Sequence, residues 1–386
     1  MNLIEVNDPR QAAEFLKVPL NLYADDPNYI RPLSSDVENV FSKDTNKFYK
    51  DGKAVRWILK NEKGQGIGRI AAFVNEETAY SYTQPTGGIG FFECIDNREA
   101  AFILFDAAQK WLKKQGMEAM DGPINLGSRE KWWGLLTEGF HPPCYCCNYN
   151  PPWYQRFFED YGFNVFFRQY TYLRRVDDPL QPAYHKIADR IFKNSSYSFR
   201  NVESKNLDKY VNDFRAVYNK AWVKHEGVDE MSVESAKKLI KGLGPVIDER
   251  IAWFAYFKDE PIGFFLCIPE LNELFVKYAK GEPGLLAKAR LAFNKYFQRC
   301  RTMYGLAFGI IPEQQRKGVE VALIVYAWNS LRRIKAYDRV QMNWIGDFNP
   351  RMMHVAEQIG AVKYKTHHTY RYLFDRSLEF ERHPDI

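Results

Sequence analysis

Apolar residues at 101, 104, 105, 108, 111 and 112 recur at helical spacing, which predicts an amphipathic helix over 97–115 that Gly116 ends. Before it, apolar stretches at 54–60 and 67–74 flank Gly64-Gln65-Gly66 and read as a β-hairpin, and 89–95 reads as a further strand. A short helix is expected over 10–16. The stretch 19–50, rich in Pro, Asp and Asn, should be a structured loop with short helical turns. Later, Asn150-Pro151-Pro152 opens a helix that runs through Asp160, and Gly162 permits the turn into a strand over 165–173.

The order then begins again. After 176–182, a Pro- and Asp-containing stretch suited to a linker, the pattern gives a strand at 198–202 and a helix at 207–222. A hairpin follows, with strands at 250–257 and 262–268 across Lys258-Asp259-Glu260-Pro261. Next come a strand at 304–311, a helix at 318–336, a strand at 340–345, a helix opened by Asn349-Pro350, and a last strand at 363–374. The Asn-Pro pairs at 150 and 349 lie about half a chain apart. Repetition of element order predicts an α/β (α+β) fold in which one module occurs twice, over 1–178 and 179–386, each with a mixed central sheet flanked by helices. The second copy carries an insertion around 277–303, with apolar residues at 286, 289, 293, 296, 297 and 300. Lys277, Lys280, Lys288, Arg290, Lys295, Arg299 and Arg301 stand there against one acid, Glu282. Its readings are a solvated surface helix, a lid, or a helix lying on a membrane.

Bulk properties narrow this picture. A chain of 386 residues exceeds one ordinary core and suits two domains, and 46% hydrophobic with 26% charged residues excludes a disordered or fibrous class. The aromatic content of 16% suits large apolar pockets or a membrane surface as well as ordinary packing. A charge of +6 admits acidic partners but is too mild to indicate nucleic acid. Six cysteines without regular spacing read as reduced thiols. The N-terminal residues lack the pattern of a secretory signal and no window has the length of a spanning helix, so a cytoplasmic protein is expected, with membrane association left to the basic insertion.

The strongest chemical signal lies at 311–319. A strand ends at Ile311, then Gln315-Arg316-Lys317-Gly318 leads directly into a helix beginning near Val319. Backbone N–H groups at a helix start, a glycine allowing close approach and two cations suit a pyrophosphate. The alternative is an ordinary basic first turn. With Gln315 and Gly318 in place between strand and helix, the chain resembles the GNAT acyltransferase superfamily, whose acyl-CoA loop has the pattern Gln/Arg-x-x-Gly-x-Gly/Ala there. Glu320 departs from the pattern. A narrower resemblance, to a bacterial group of tandem GNAT-like proteins, covers almost the whole chain. It is carried by stretches including Gly122-Pro123-Ile124-Asn125, Gly134-Leu135-Leu136-Thr137-Glu138-Gly139-Phe140, Asn150-Pro151-Pro152-Trp153-Tyr154, Pro269-Glu270-Leu271-Asn272, Asn343-Trp344-Ile345 and Asp347-Phe348-Asn349. In that group an acid at the position of Glu320 is usual, whereas Gln341 replaces a Glu and 128–132 is less acidic. The group is distantly similar to bacterial ceramide synthases.

The resemblance implies two tandem GNAT-like domains and transfer of an acyl group from acyl-CoA, or an acyl carrier protein, to an amine, with a lipid-like acceptor. The donor would bind through Ile311, Gln315, Arg316, Lys317, Gly318, Val319 and Asn349 of the second copy. The first copy has Asp96-Asn97-Arg98-Glu99 at the corresponding place, without glycine or paired cations, and is expected to lack a donor site. Asn125, Asn272 and Trp344 are candidates for substrate contacts. Attack on a thioester needs a base, oxyanion donors and an acid for the leaving thiolate. Asp347 and Glu270 are the candidate bases, with His225-Glu226 a weaker choice; for any one of them a cap or a salt-bridged surface acid is the commoner use. Many GNAT enzymes use as acid a Tyr four residues before the closing glycine. Those positions hold Phe158 and Ala356 here, leaving Tyr370, Tyr326 or solvent. The rival classes are a non-catalytic GNAT-fold binding protein and a peripheral lipid-binding protein. Cys144-Tyr145-Cys146-Cys147 is read as strand, with Cys144 and Cys146 packed on one face, and no metal is expected. Trp132-Trp133-Gly134-Leu135 reads as buried core or the lining of an acyl groove.

Overall fold

The computed structural model describes residues 1–222 and 230–385. Its first half runs β1 (Asn2–Glu5), α1 (Pro9–Leu22), α2 (Ser34–Phe41), β2 (Gly52–Lys60), β3 (Gly66–Asn75), α3 (Glu76–Ala79), β4 (Thr86–Cys94), α4 (Arg98–Lys114), β5 (Ala119–Gly122), β6 (Leu135–Glu138), α5 (Tyr154–Tyr161) and β7 (Asn164–Arg175). The second runs α6 (Pro182–Phe192), β8 (Tyr197–Asn201), α7 (Leu207–Trp222), α8 (Val233–Leu243), β9 (Ala252–Phe257), β10 (Glu260–Pro269), α9 (Lys277–Ala279), α10 (Leu285–Tyr296), β11 (Thr302–Ile310), α11 (Val319–Ile334), β12 (Arg339–Gly346), α12 (Pro350–Gln358) and β13 (Val362–Leu373).

Local chemistry accounts for several boundaries. Asn97 caps α4 by accepting the Ala100 N–H at 2.8 Å, and Asn349 caps α12 by accepting that of Met352 at 3.1 Å. The β9–β10 turn is the two-residue kind that matches strand twist, with Lys258 at φ 50° and Asp259 at φ 63°. Helix α1 outruns the expected 10–16 because it continues through Pro19. A proline inside a helix leaves the carbonyl four residues earlier without its N–H donor. Here that carbonyl belongs to Phe15, and the buried Arg69 guanidinium donates to it at 2.9 Å. Such a long-range replacement cannot be read from the local pattern.

The strands form one thirteen-stranded mixed sheet in the order β1-β2-β3-β4-β5-β13-β7-β12-β11-β10-β9-β8, with β6 also paired to β13. The last strand of each half lies in the other half's territory. Strand β13 pairs with β5 and β6, while β7 pairs with β12, and the two exchanged strands pair with each other at the centre. Each also enters the opposite core. Tyr172 of β7 packs in the cluster built on α6, α11 and β9–β10, and Tyr370 of β13 packs with Phe92, Phe105 and Phe158 of the first half. Arg371 of β13 fixes the exchange with bonds of 2.7 and 2.9 Å to Asp121 of β5.

Both halves also contain a place where two parallel neighbours part. In the first, β4 and β5 pair only from Thr86–Ala119 to Gly88–Asp121, although β4 runs on to Cys94. In the second, β11 and β12 pair only from Thr302–Arg339 to Gly305–Met342, although both strands continue. The halves differ in what occupies the resulting V.

Candidate functional site

The open V of the second half is bordered by two bulges. In β11, Leu266 faces Ala307 and Cys267 faces Gly305, so Leu306 is the extra residue with no register partner on β10, and β12 has already diverged. In β12, the register with β7 shifts between Met342 and Ile345, around Asn343 and Trp344. Bulges re-aim side chains and leave backbone groups outside the ladder. The middle of β11 is accordingly uncovered. Leu306 is 40% exposed in a central strand, and Ala307, Phe308, Met342, Asn343 and Trp344 are half-buried.

The outer end of the V is the turn from β11 into α11. Gln315 donates through Nε2 to the Ile310 carbonyl at 2.9 Å and so closes the end of the strand. Arg316 adopts φ 63° and Gly318 φ 92°, a left-handed pair that reverses the chain into the helix. Gly318 could not be larger: an added Cβ would meet Ile187 of α6 at 2.6 Å. Arg316 and Lys317 are exposed beside the first N–H groups of α11. Two exposed cations beside a helix N-terminus at the mouth of a cleft are an arrangement that attracts anions. Glu320, in the first turn, has a buried Oε2 without a hydrogen-bond partner, and burial, with the Glu320 charge beside it, raises the Tyr184 hydroxyl's pKa.

At the inner end a polar cluster joins the halves. The segment 142–147 is a turn and not the expected strand: the Cys147 N–H bonds the Cys144 carbonyl at 3.0 Å and Cys146 sits at φ 56°. The turn brings Cys144 and Cys147, rather than Cys144 and Cys146, onto one polar surface. The Cys144 thiol donates to Gln341 Oε1 at 2.6 Å, and Asn343 Nδ2 donates to Cys147 Sγ at 2.9 Å. Its bond to Cys147 holds the Cys144 thiol below its ordinary pKa in spite of burial, with help from the Lys365 ammonium, while Cys147 is pushed up. Tyr304 of β11 lies in the same neighbourhood. Burial raises its hydroxyl, as do the charges of Cys147, Cys144 and Glu130, so it stays protonated. Glu130 and Trp133 line the adjoining hollow together with Cys147, Asn343 and Trp344.

The expected site residues fall into separate places. Ile311, Gln315, Arg316, Lys317, Gly318 and Val319 all lie at the outer end of the V. Asn349 is occupied as the cap of α12. Glu270 is buried at the end of β10; Oε1 accepts the Tyr145 N–H at 2.8 Å and Oε2 that of Glu273 at 2.7 Å. Burial raises its pKa against those N–H groups and Lys365. Asn272 donates to the Pro143 carbonyl at 2.9 Å. These two therefore clamp the 142–147 turn onto the second half. Asp347 is held by Arg382 at 2.5 Å and by the Arg168 N–H at 3.0 Å, so both its oxygens are engaged. Trp344 donates to the Arg129 carbonyl at 2.9 Å on the rim of the hollow, whereas Asn125 is buried in hydrogen bonds to the Ser128 and Lys131 carbonyls of its own loop. Tyr370 is not brought to this group: it is fully buried in the first-half core, with its hydroxyl 3.2 Å from Glu159 Oε1. Tyr326 stacks on Phe199 toward the β8 edge, and Phe158 and Ala356 are core residues. His225 and Glu226 lie outside the described residues. Reading residue by residue missed Glu130, Tyr304, Gln341, Asn343 and the Cys144–Cys147 turn. Gln341 and Asn343 stood only among the positions that carry the family resemblance, and the Cys-x-x-Cys spacing was the one signal for the turn.

The equivalent V of the first half is filled by its own chain. The Ile124 N–H bonds the Ile89 carbonyl at 2.6 Å, and an added Cβ on Gly90 would fall 1.7 Å from the Ile124 oxygen. At its bulge, Phe91 has φ 49°. The Cys94 N–H is taken by the Tyr154 hydroxyl at 2.7 Å, and Tyr154 and Tyr23 both donate to the buried Glu93, at 3.0 and 2.7 Å. Arg69 completes this cluster at 3.4 Å. Within this cluster the Arg69 Nε is buried without a partner.

No family model matches the chain. It is 27% identical over 382 residues to a bacterial ceramide synthase of Caulobacter vibrioides, covering 96% of this chain and 97% of that protein. It is 27% identical over 362 residues to the protein YghO of Escherichia coli, covering 92% and 91%. Among solved structures, a tandem GNAT protein from the clavulanic acid biosynthesis pathway superposes with a TM-score of 0.56 at 11% identity, over 97% of this chain and 99% of that one. The protein has the tandem GNAT fold, and over nearly its whole length its sequence is similar to that of a bacterial ceramide synthase.

Proposed function

We propose that this protein is an N-acyltransferase that takes an acyl group from acyl-CoA, or an acyl carrier protein, bound in the second half alone, and passes it to the amine of a lipid-like acceptor. The observation that carries the reading is the open V between β11 and β12, which ends in two exposed cations at the start of α11. The filled V of the first half supports confining the donor to the second. The likeness to a ceramide synthase supports an amine of lipid character.

In this reading the pyrophosphate lies on the Arg316–Val319 turn and the pantetheine follows the edge of β11, as a strand would. The thioester carbonyl then meets the backbone N–H groups at the Leu306 bulge, which no neighbouring strand claims. Glu130, at the hollow, accepts the proton of the attacking amine. Tyr304, held protonated by its surroundings, supplies the proton for the departing thiolate. Glu270 and Asn272 position the 142–147 turn. Asp347, bound to two arginines, keeps β12 against β7 and the C-terminal segment.

Release of CoA thiol from palmitoyl-CoA in the presence of a sphingoid amine tests this. Glu130→Gln and Tyr304→Phe should each lower the turnover number by about a hundredfold or more, the usual scale of general acid–base assistance, with CoA affinity unchanged. No amine-dependent thiol release from any acyl-CoA would sink the proposal. Full turnover in both variants would remove their roles.

A further inference from the structure

Helix α10, in the basic insertion, carries an uncovered apolar face. Leu285 is 86% exposed, Leu286 81%, Tyr296 81%, Phe297 54% and Phe293 42%, a concentration of exposed large apolar side chains found nowhere else among the described residues. Leu286, Phe293 and Phe297 follow at i, i+7 and i+11, so they share one face, with Leu285 and Tyr296 on its flank. Phe293, Tyr296 and Phe297 are already clustered, with ring centroids 4.6 and 4.9 Å apart along the run.

The helix is firmly seated on its other side. Ala287 and Asn294 are buried, Asn294 donates to the Leu274 carbonyl at 2.7 Å, and the Ser34 N–H bonds the Gly281 carbonyl at 2.7 Å, joining the insertion to the first half. The exposed face is therefore presented by a fixed helix. Cations border it: Arg290 lies over the rings of Tyr278 and Phe293 at 4.8 and 5.7 Å, and Lys288, Lys295 and Arg299 are exposed along the insertion. An apolar face rimmed by cations matches the boundary of a bilayer with anionic headgroups, where rings and leucines enter the acyl region and cations remain among phosphates. A purely apolar protein partner would give no role to the cations beside this face.

We infer that α10 docks this protein onto anionic lipid bilayers through Leu286, Phe293, Tyr296 and Phe297, with the surrounding Lys and Arg meeting lipid phosphates. The surface is separate from the donor site, so the two proposals stand or fall independently.

Co-sedimentation of the full chain with phosphatidylcholine vesicles, and with phosphatidylcholine–phosphatidylglycerol vesicles, tests it. The protein should partition onto the mixed vesicles, less onto the zwitterionic ones, and less at high salt. A Leu286→Ser, Phe293→Ser, Phe297→Ser variant should lose roughly tenfold or more of this binding, and a Lys288→Gln, Arg290→Gln, Arg299→Gln variant should lose it together with its salt dependence. All six side chains are exposed, so melting temperature and CoA binding should not move. Equal binding by the wild type and the apolar variant would overturn the inference. So would a wild type that ignores both vesicles but sediments as a dimer that the apolar variant disperses, which would make the stripe an interface between copies.

Discussion

Replacing Arg316 and Lys317 together by alanine should weaken CoA binding by about a hundredfold and leave the fold intact. Both side chains are exposed and make no side-chain bond in the described structure, so their removal costs the core nothing. A hydrogen bond to a charged group contributes about 1.5–3 kcal/mol when formed, and solvent reduces that at an exposed site. Roughly 3 kcal/mol for two such contacts corresponds to a factor of about a hundred. Calorimetric titration of CoA into both proteins measures the difference. Affinity within twofold of wild type would show that the pyrophosphate lies elsewhere.

Arg371→Ala should destabilise the whole protein by about 3–5 kcal/mol, the usual consequence of leaving one partner of a buried ion pair uncompensated. Arg371 is 4% exposed, binds Asp121 through two bonds, and lies 3.6 Å from the Phe166 ring centroid and 4.2 Å from that of Tyr82. It belongs to β13 but its partner belongs to β5, so the loss acts on the strand exchange. Because each half's last strand lies in the other half's sheet, urea should unfold the wild type in one transition, and the variant should shift that transition as a unit. Two separable transitions, with only one moved by the substitution, would contradict the shared sheet. Asp121→Ala added to Arg371→Ala should recover part of the loss, since the orphaned carboxylate is then gone.

Much of the architecture was legible because it is local. The spacing that announced α4, the turn residues of the β9–β10 hairpin and the Asn-Pro starts of two helices all act within a few residues. The strand exchange was not legible. Strand β13 alternates and ends like any closing strand, and nothing in its pattern says that its neighbours will be β5 and β7. That choice is made by long-range pairs such as Arg371–Asp121 and by the packing of Tyr370 against Phe158. The same limit misplaced Tyr370, whose distance from the β11–β12 cleft follows from the exchange. The basic turn at 315–318 could be read because its residues are contiguous in sequence. The polar cluster at Cys144, Cys147, Gln341 and Asn343 could not, since it joins segments about 200 residues apart, as in the 197-residue separation of Cys144 and Gln341. The bulge that frees Leu306 is likewise invisible until the register of β10 and β11 is known.

In the proposed reading the duplicated fold keeps one donor site, in the V that remains open. Titration of the full chain with CoA, followed by native mass spectrometry of the complex, counts the donor sites. One CoA per chain is the predicted result, lost in the Arg316→Ala, Lys317→Ala variant and retained when Tyr154→Phe disturbs the filled V of the first half. Two CoA molecules per chain, or one that survives the loss of both cations, would contradict it.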